Sequence, residues 1–231
     1  MGLETFHSHS GDAPTRRGSL FDRQPGWHFS LMLALEVIFL FIAVPALSAG
    51  DASQSIVTSL QLVIAAIAIA LLAKSPWLRL ALATSFGLTL FARFLPGILP
   101  QTTSLAMVFT YNFLVTGAMA WAVLGPGVVN HHRIAGAVFI YLNIALLFGV
   151  AYSILTLVTP DALSGLHNVM PGHASMMIHY SFTTLTAVGD GAVSPHSPFA
   201  RSLADMETVI GQLFPAILLS RLVGLHLART T

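Results

Sequence analysis

The chain has 231 residues, of which 55% are hydrophobic and only 8% charged, with a mean hydropathy of +0.79. Soluble domains carry about 25% charged residues, so this composition excludes a water-soluble globular fold. A net charge of +1 argues against a nucleic-acid partner, and the lack of cysteine excludes disulfides and thiolate metal sites.

Residues 1–26 are polar, with a cluster from His7 to Asp12 and then Arg16, Arg17 and Arg23. They read as a cytoplasmic N-terminal tail without fixed structure. The first apolar run, His28 to Ala49, is too long for the apolar core of a signal peptide, which is about 7–15 residues. It suits a membrane span of about 20 residues, and it contains Glu36. Four more runs follow: Ile56 to Leu72, Trp77 to Leu95, Thr103 to Leu124, and Ile134 to Val158. A last one covers Ser202 to Ala228. Turn chemistry separates them at Lys74-Ser75-Pro76, Pro96-Gly97 and Gly125-Pro126-Gly127. The pattern predicts an all-α membrane protein with six transmembrane helices.

The basic residues orient it. With the N-terminus inside, Arg16, Arg17, Arg23, Lys74, Arg79, Arg133, Arg221 and Arg229 fall on the cytoplasmic side, and only Arg93 and Arg201 outside. That bias predicts a multi-pass protein with both termini cytoplasmic. Asn112 and Asn143 within spans are expected to bond between helices.

Between the last two runs lies Tyr180 to Pro195, reading Y-S-F-T-T-L-T-A-V-G-D-G-A-V-S-P. Irregular backbone at membrane depth must be buried in protein or line a wet cavity. Gly189 and Gly191, one residue apart, permit positive φ at alternate positions, so that successive carbonyls face one way. Carbonyls aimed at a common axis replace the water around an ion.

The segment T-L-T-A-V-G-D-G-x-x-x-P resembles the pore-loop signature of the potassium-channel superfamily. Its V-G-D-G variant is similar to the filter of bacterial NaK channels, which are non-selective cation channels. The likeness runs from Ile134 to His226. It implies an outer helix, a re-entrant pore helix from Gly172 or His173 to Leu185, a filter between helices 5 and 6, and an inner helix. The division that follows is a tail at 1–26, a four-helix peripheral domain at 27–128, and a pore domain at 129–231. Thr159 to Pro171 becomes an outer turret, and Tyr180 an aromatic packed behind the filter.

By this resemblance Thr186, Ala187, Val188, Gly189, Asp190 and Gly191 form the filter and hold monovalent cations by backbone carbonyls. No cofactor is implied; K⁺ and Na⁺ are permeant ions. Ala187 stands where the superfamily has a threonine hydroxyl, Asp190 where it has an aromatic strut, and Ala192 where it has an acid. These departures imply weak discrimination between K⁺ and Na⁺. Asp190 either shapes the pore or caps a neighbouring N–H. Gly211, nineteen residues after Ala192, matches the gating-hinge glycine, with Pro215 four residues on. Close helix packing is the other reading of Gly211. Gln212, Pro215 and Leu219 then approach the cavity.

One filter segment per chain implies a homotetramer in lipid, in a bacterial inner membrane, with no enzymatic activity. Thr103 to Leu124 holds no basic residue, so little or no voltage gating is expected. Asp205 and Glu207 open the inner helix near Arg201; Asp205 is spaced to pair with Arg201. The two acids brace the filter, or one of them simply stands protonated or solvated at the outer boundary. His167, His173, His179 and His196 are solvated loop groups or proton sensors. Three competing readings remain: a K⁺-selective pore of the same fold, a non-conducting channel-derived scaffold or sensor, and an intramembrane aspartyl protease using Asp190. The last lacks the first glycine of G-x-G-D, where Ala187 stands, and lacks a Y-D partner in any span.

Overall fold

The computed structural model describes residues 27–44, 63–64, 66–67, 76–94, 99–125, 131–166 and 174–230. The tail at 1–26, most of the run at 56–72 and the Pro96-Gly97 turn therefore lie outside the described residues. Helix α1 covers Trp27–Ile38 and continues as a π-helical turn over Phe39–Ala43. Helix α2 is Pro76–Phe94, α3 is Gln101–Leu124 and α4 is His131–Val158. A 3₁₀ turn at Pro160–Ala162 leads to a two-residue strand β1, Leu163–Ser164. Helix α5 is Ala174–Leu185, strand β2 is Ser194–Pro195, and α6 is Pro198–Thr230.

The apolar runs predict these helices closely, and the ends that move do so for local reasons. The last run was expected to begin at Ser202, but α6 starts at Pro198. Ser197 is the cause: its hydroxyl accepts from the Ala200 N–H at 3.1 Å, and a proline opens the first turn. Both are helix-start devices that hydrophobicity does not register. Among the described residues, three helices are long and apolar enough to cross a membrane: Gln101–Leu124, His131–Val158 and Pro198–Arg221. The apolar parts of the first two helices are shorter, Trp27–Ala43 and Arg79–Ala92. At positions 63, 64, 66 and 67 the chain is helical, and Ile64 is buried.

Helix α4 is the hub, with α1, α3, α5 and α6 all packed on it, while α2 packs on α3. One apolar cluster joins α1, α2, α3 and α4 around Met32, Leu82, Met119 and Phe139. A second sits at the other end of α4 and holds Tyr152, Met177, Tyr180 and Val193. The site is built on that second cluster. At the opposite end, Arg133 of α4 and Arg221 of α6 each donate to the carbonyl of Gly125, both at 3.1 Å. The end of α3, the start of α4 and the foot of α6 are thus on one side. Ser30 and His132 Nδ1, 2.8 Å apart, tie α1 to the same end.

Polar groups inside the bundle are mostly satisfied within their own helix. The Asn112 amide donates to the Val108 carbonyl at 2.8 Å. Thr116 bonds the Asn112 carbonyl at 2.8 Å and shares its proton with Asn143 Oδ1 of α4 at 3.4 Å. The expected interhelical role of Asn143 is met through Thr116.

Candidate functional site

The polar stretch after Leu185 is shaped by the end of α5. Helix C-termini leave carbonyls without partners. Here the chain folds back onto one of them: the N–H groups of Val188 and Gly189 both donate to the Thr183 carbonyl, at 2.9 and 3.0 Å. Ala187 N–H donates to Thr184 at 3.0 Å. The hydroxyls of Thr183 and Thr184 return to the Tyr180 carbonyl at 2.8 Å, and that of Thr186 to Phe182 at 2.7 Å. These three threonines therefore brace their own backbone.

Positive φ occurs at alternate residues: Ala187 at 57°, Gly189 at 80° and Gly191 at 70°. The glycines were expected to behave so. Ala187 was not, since a residue with a Cβ pays about 1–2 kcal/mol for the left-handed region. Val188 is 78% exposed, and beyond the adjoining residues no atom lies within 4 Å of where a side chain would start on Gly189 or Gly191. Thr186, Ala187, Gly189 and Gly191 are exposed as well. The Asp190 carboxylate takes part in no hydrogen bond or ion pair among the described residues, so the capping role considered for it is absent here.

The outer end of the stretch is anchored separately. Strands β1 and β2 pair antiparallel, Leu163 opposite Pro195 and Ser164 opposite Ser194, with the two serine hydroxyls 2.7 Å apart. His196 and Ser197 N–H groups both reach the Ala162 carbonyl, at 2.9 and 3.1 Å. Gly165, at φ 89°, lies so close to Ala192 that an added Cβ would sit 1.8 Å from its carbonyl oxygen. The loop expected as an outer turret is thus partly a clamp on residues 192–197. Nothing in the sequence marks Ser164 or Gly165 for this, because their partners are about thirty residues away.

Behind the stretch, α4, α5 and α6 meet at Glu207, which is fully buried. The Tyr152 hydroxyl donates to Glu207 Oε2 at 2.8 Å, and the Ser181 hydroxyl bonds Oε1. Tyr180, expected behind the filter, is 3% exposed and meets the Tyr152 ring edge-on, with centroids 4.8 Å apart. Of the two acids considered as braces, Glu207 is buried between the helices and Asp205 is exposed. The Arg201–Asp205 pair does not form. Arg201 instead points its Nε at the Pro195 carbonyl, at 3.4 Å.

Helix α6 runs through Gly211 and Pro215 without interruption. A Cβ on Gly211 would fall 1.8 Å from the Leu185 carbonyl oxygen. In this structure, then, Gly211 admits the end of α5, which is the packing role weighed against the hinge. Gln212, Pro215 and Leu219 are all exposed on the free part of α6. His179 and His196 are exposed; His167 and His173 lie outside the described residues.

Residues 140–225 match the family model described as ion channel. The match takes in most of α4, all of α5 and the stretch after it, and α6 as far as residue 225, and leaves α1 to α3 outside. No curated protein and no solved structure matches the chain.

Proposed function

We propose, from the ion channel domain at residues 140–225, that four copies of this integral membrane protein surround one pore and pass monovalent cations with weak preference between K⁺ and Na⁺. In this reading α4 is the outer helix, α5 the pore helix, Thr186 to Gly191 the filter and α6 the inner helix. Helices α1 to α3, with a further span at 56–72, form the periphery and complete six spans.

The observation that carries the proposal is the alternation of positive φ at Ala187, Gly189 and Gly191 in a stretch whose face is open. Alternating handedness lets consecutive carbonyls face one direction. An exposed row of carbonyls at membrane depth is tolerated only if it lines water or is completed by protein. Copies arranged about an axis supply both, and the carbonyls then take the place of an ion's hydration shell. The C-terminus of α5 adds its negative dipole end beneath that axis, which favours a cation.

Weak preference follows from what the side chains omit. Ala187 supplies no hydroxyl oxygen, and among the described residues the Asp190 carboxylate makes no hydrogen bond that would hold the outer filter narrow. On this reading both termini face the cytoplasm and the filter opens outward, in accord with Arg133 and Arg221 sharing the end of the bundle remote from the filter.

The test is flux through the purified chain in liposomes, with K⁺ and Na⁺ gradients run side by side. Comparable flux for both ions, abolished by Gly189→Val, is the expected result. Ala187→Thr and Asp190→Tyr should move the preference toward K⁺. Flux of K⁺ alone in the unaltered protein would make this a K⁺-selective channel and overturn the weak-preference reading.

A further inference from the structure

Glu207 lies fully buried where α4, α5 and α6 converge, and each of the three helices takes part in holding it. Tyr152 of α4 donates to one carboxyl oxygen and Ser181 of α5 bonds the other. The Ser181 hydroxyl is also 2.7 Å from the Ala145 carbonyl of α4. A buried polar group is kept only where its partners are complete. This set is complete, and no cation takes part in it among the described residues.

The contact belongs to a series. One residue further along α6, Thr208 reaches the Thr184 carbonyl at 3.4 Å, and one turn further Gly211 admits the Leu185 carbonyl. Residues 207, 208 and 211 thus follow 181, 184 and 185 along a shared seam. In the same turn of α5 lies Thr183, whose carbonyl receives both Val188 and Gly189 N–H groups. A displacement of α5 along α6 therefore reaches the filter turn without passing through any loop.

We propose that Glu207 is a positioning residue of the pore: by holding Ser181 and Tyr152 it fixes the seat of the pore helix on the inner helix, and so sets the geometry of residues 183–189. The proposal rests on the reading of 186–191 as a filter. Its chemistry predicts which substitution is tolerated. A glutamine at 207 keeps every bond, its carbonyl accepting from Tyr152 and its amide donating to Ser181, whose own proton then goes to Ala145. An alanine keeps none and leaves Tyr152 and Ser181 facing a gap.

The experiment uses the full chain and two readouts. One is the K⁺/Na⁺ flux ratio in liposomes. The other is amide hydrogen exchange of residues 182–191 in detergent, which does not require conduction. Glu207→Ala and Ser181→Ala should each change the flux ratio and speed the exchange by about fivefold, the factor carried by one net hydrogen bond. Glu207→Gln should match the unaltered protein in both. The Glu207→Ala/Ser181→Ala double variant should be no worse than Glu207→Ala alone. Exchange in residues 101–124 should be unchanged throughout, which reports that the fold survives.

Unaltered exchange at 182–191 in Glu207→Ala would overturn the proposal. So would exchange that rises equally in residues 101–124, because the residue would then hold the fold in general and not the filter turn. If the unaltered protein carries neither ion, the filter reading fails, while the exchange arm still decides whether Glu207 seats the pore helix.

Discussion

Helices α4 and α6 are both apolar spans of one domain, yet 67% of the most apolar stretch of α4 is buried within the chain against 17% for α6. Helix α4 is finished by its own chain: α1, α3, α5 and α6 cover it from different sides. Helix α6 is finished along one seam, where Ala204, Glu207 and Gly211 are buried. Met206, Val209, Leu213 and Ile217 are all more than half exposed. Hydrophobicity alone therefore does not say whether a span is covered by its own chain. The open face of α6 continues through Gln212 and Ser220, which are polar groups costly to leave in lipid. In the proposed assembly that face meets the pore and the neighbouring copies.

This contrast can be attacked by substitution. The largest effect is expected at the seam itself. Gly211→Val drives side-chain carbon into the Leu185 carbonyl, a backbone atom that cannot swing away, and overpacking of this kind costs about 3 kcal/mol or more. Little folded protein should emerge from size-exclusion chromatography in detergent.

Next comes a matched pair. Leu146→Ala in α4, at a position 2% exposed, should cost about 2–5 kcal/mol and lower the melting temperature of the isolated chain. Leu213→Ala in α6, 53% exposed, should leave that melting temperature nearly unchanged and reduce the fraction of cross-linked tetramer instead. Equal effects of the two on the isolated chain would erase the distinction between the helices.

A smaller loss is expected outside the seam. Gly165→Ala must hold φ at 89° and also displace the Ala192 carbonyl, and strained backbone of this sort costs about 1–3 kcal/mol. Exchange of the 192–197 amides should rise while that of α5 does not. Least of all, Asp205→Asn should change thermal stability by no more than about 0.5 kcal/mol, since the side chain is exposed and pairs with no arginine among the described residues.

Local chemistry was legible in the sequence and distant chemistry was not. The ends of α3 at Leu124, α4 at Val158 and α5 at Leu185 follow from where apolar runs meet Gly, Pro and Thr. The positive φ of Gly189 and Gly191 follows from their spacing. The start of α6 was legible too, in Ser197-Pro198, but a hydrophobicity reading passes over a cap. Ala187 carries no such mark, because alanine ordinarily avoids φ 57°; it adopts that angle here where its own N–H turns back to Thr184 and the next two N–H groups to Thr183. The partners of Glu207 lie 26 and 55 residues away, and Tyr152 within an apolar run looks like any core aromatic. The Arg201–Asp205 pairing follows from helical spacing alone. It fails because Pro195, outside the helix, offers Arg201 a carbonyl.

The Gly125 carbonyl, at the far end of the bundle, accepts from Arg133 and from Arg221. A carbonyl oxygen has two lone pairs, and both are taken. The start of α4 and the foot of α6 are thus moored to a single bollard at the end of α3. A force that drags α3 tightens the line on α6, and α6 cannot swing its foot outward without slipping one of the two ropes.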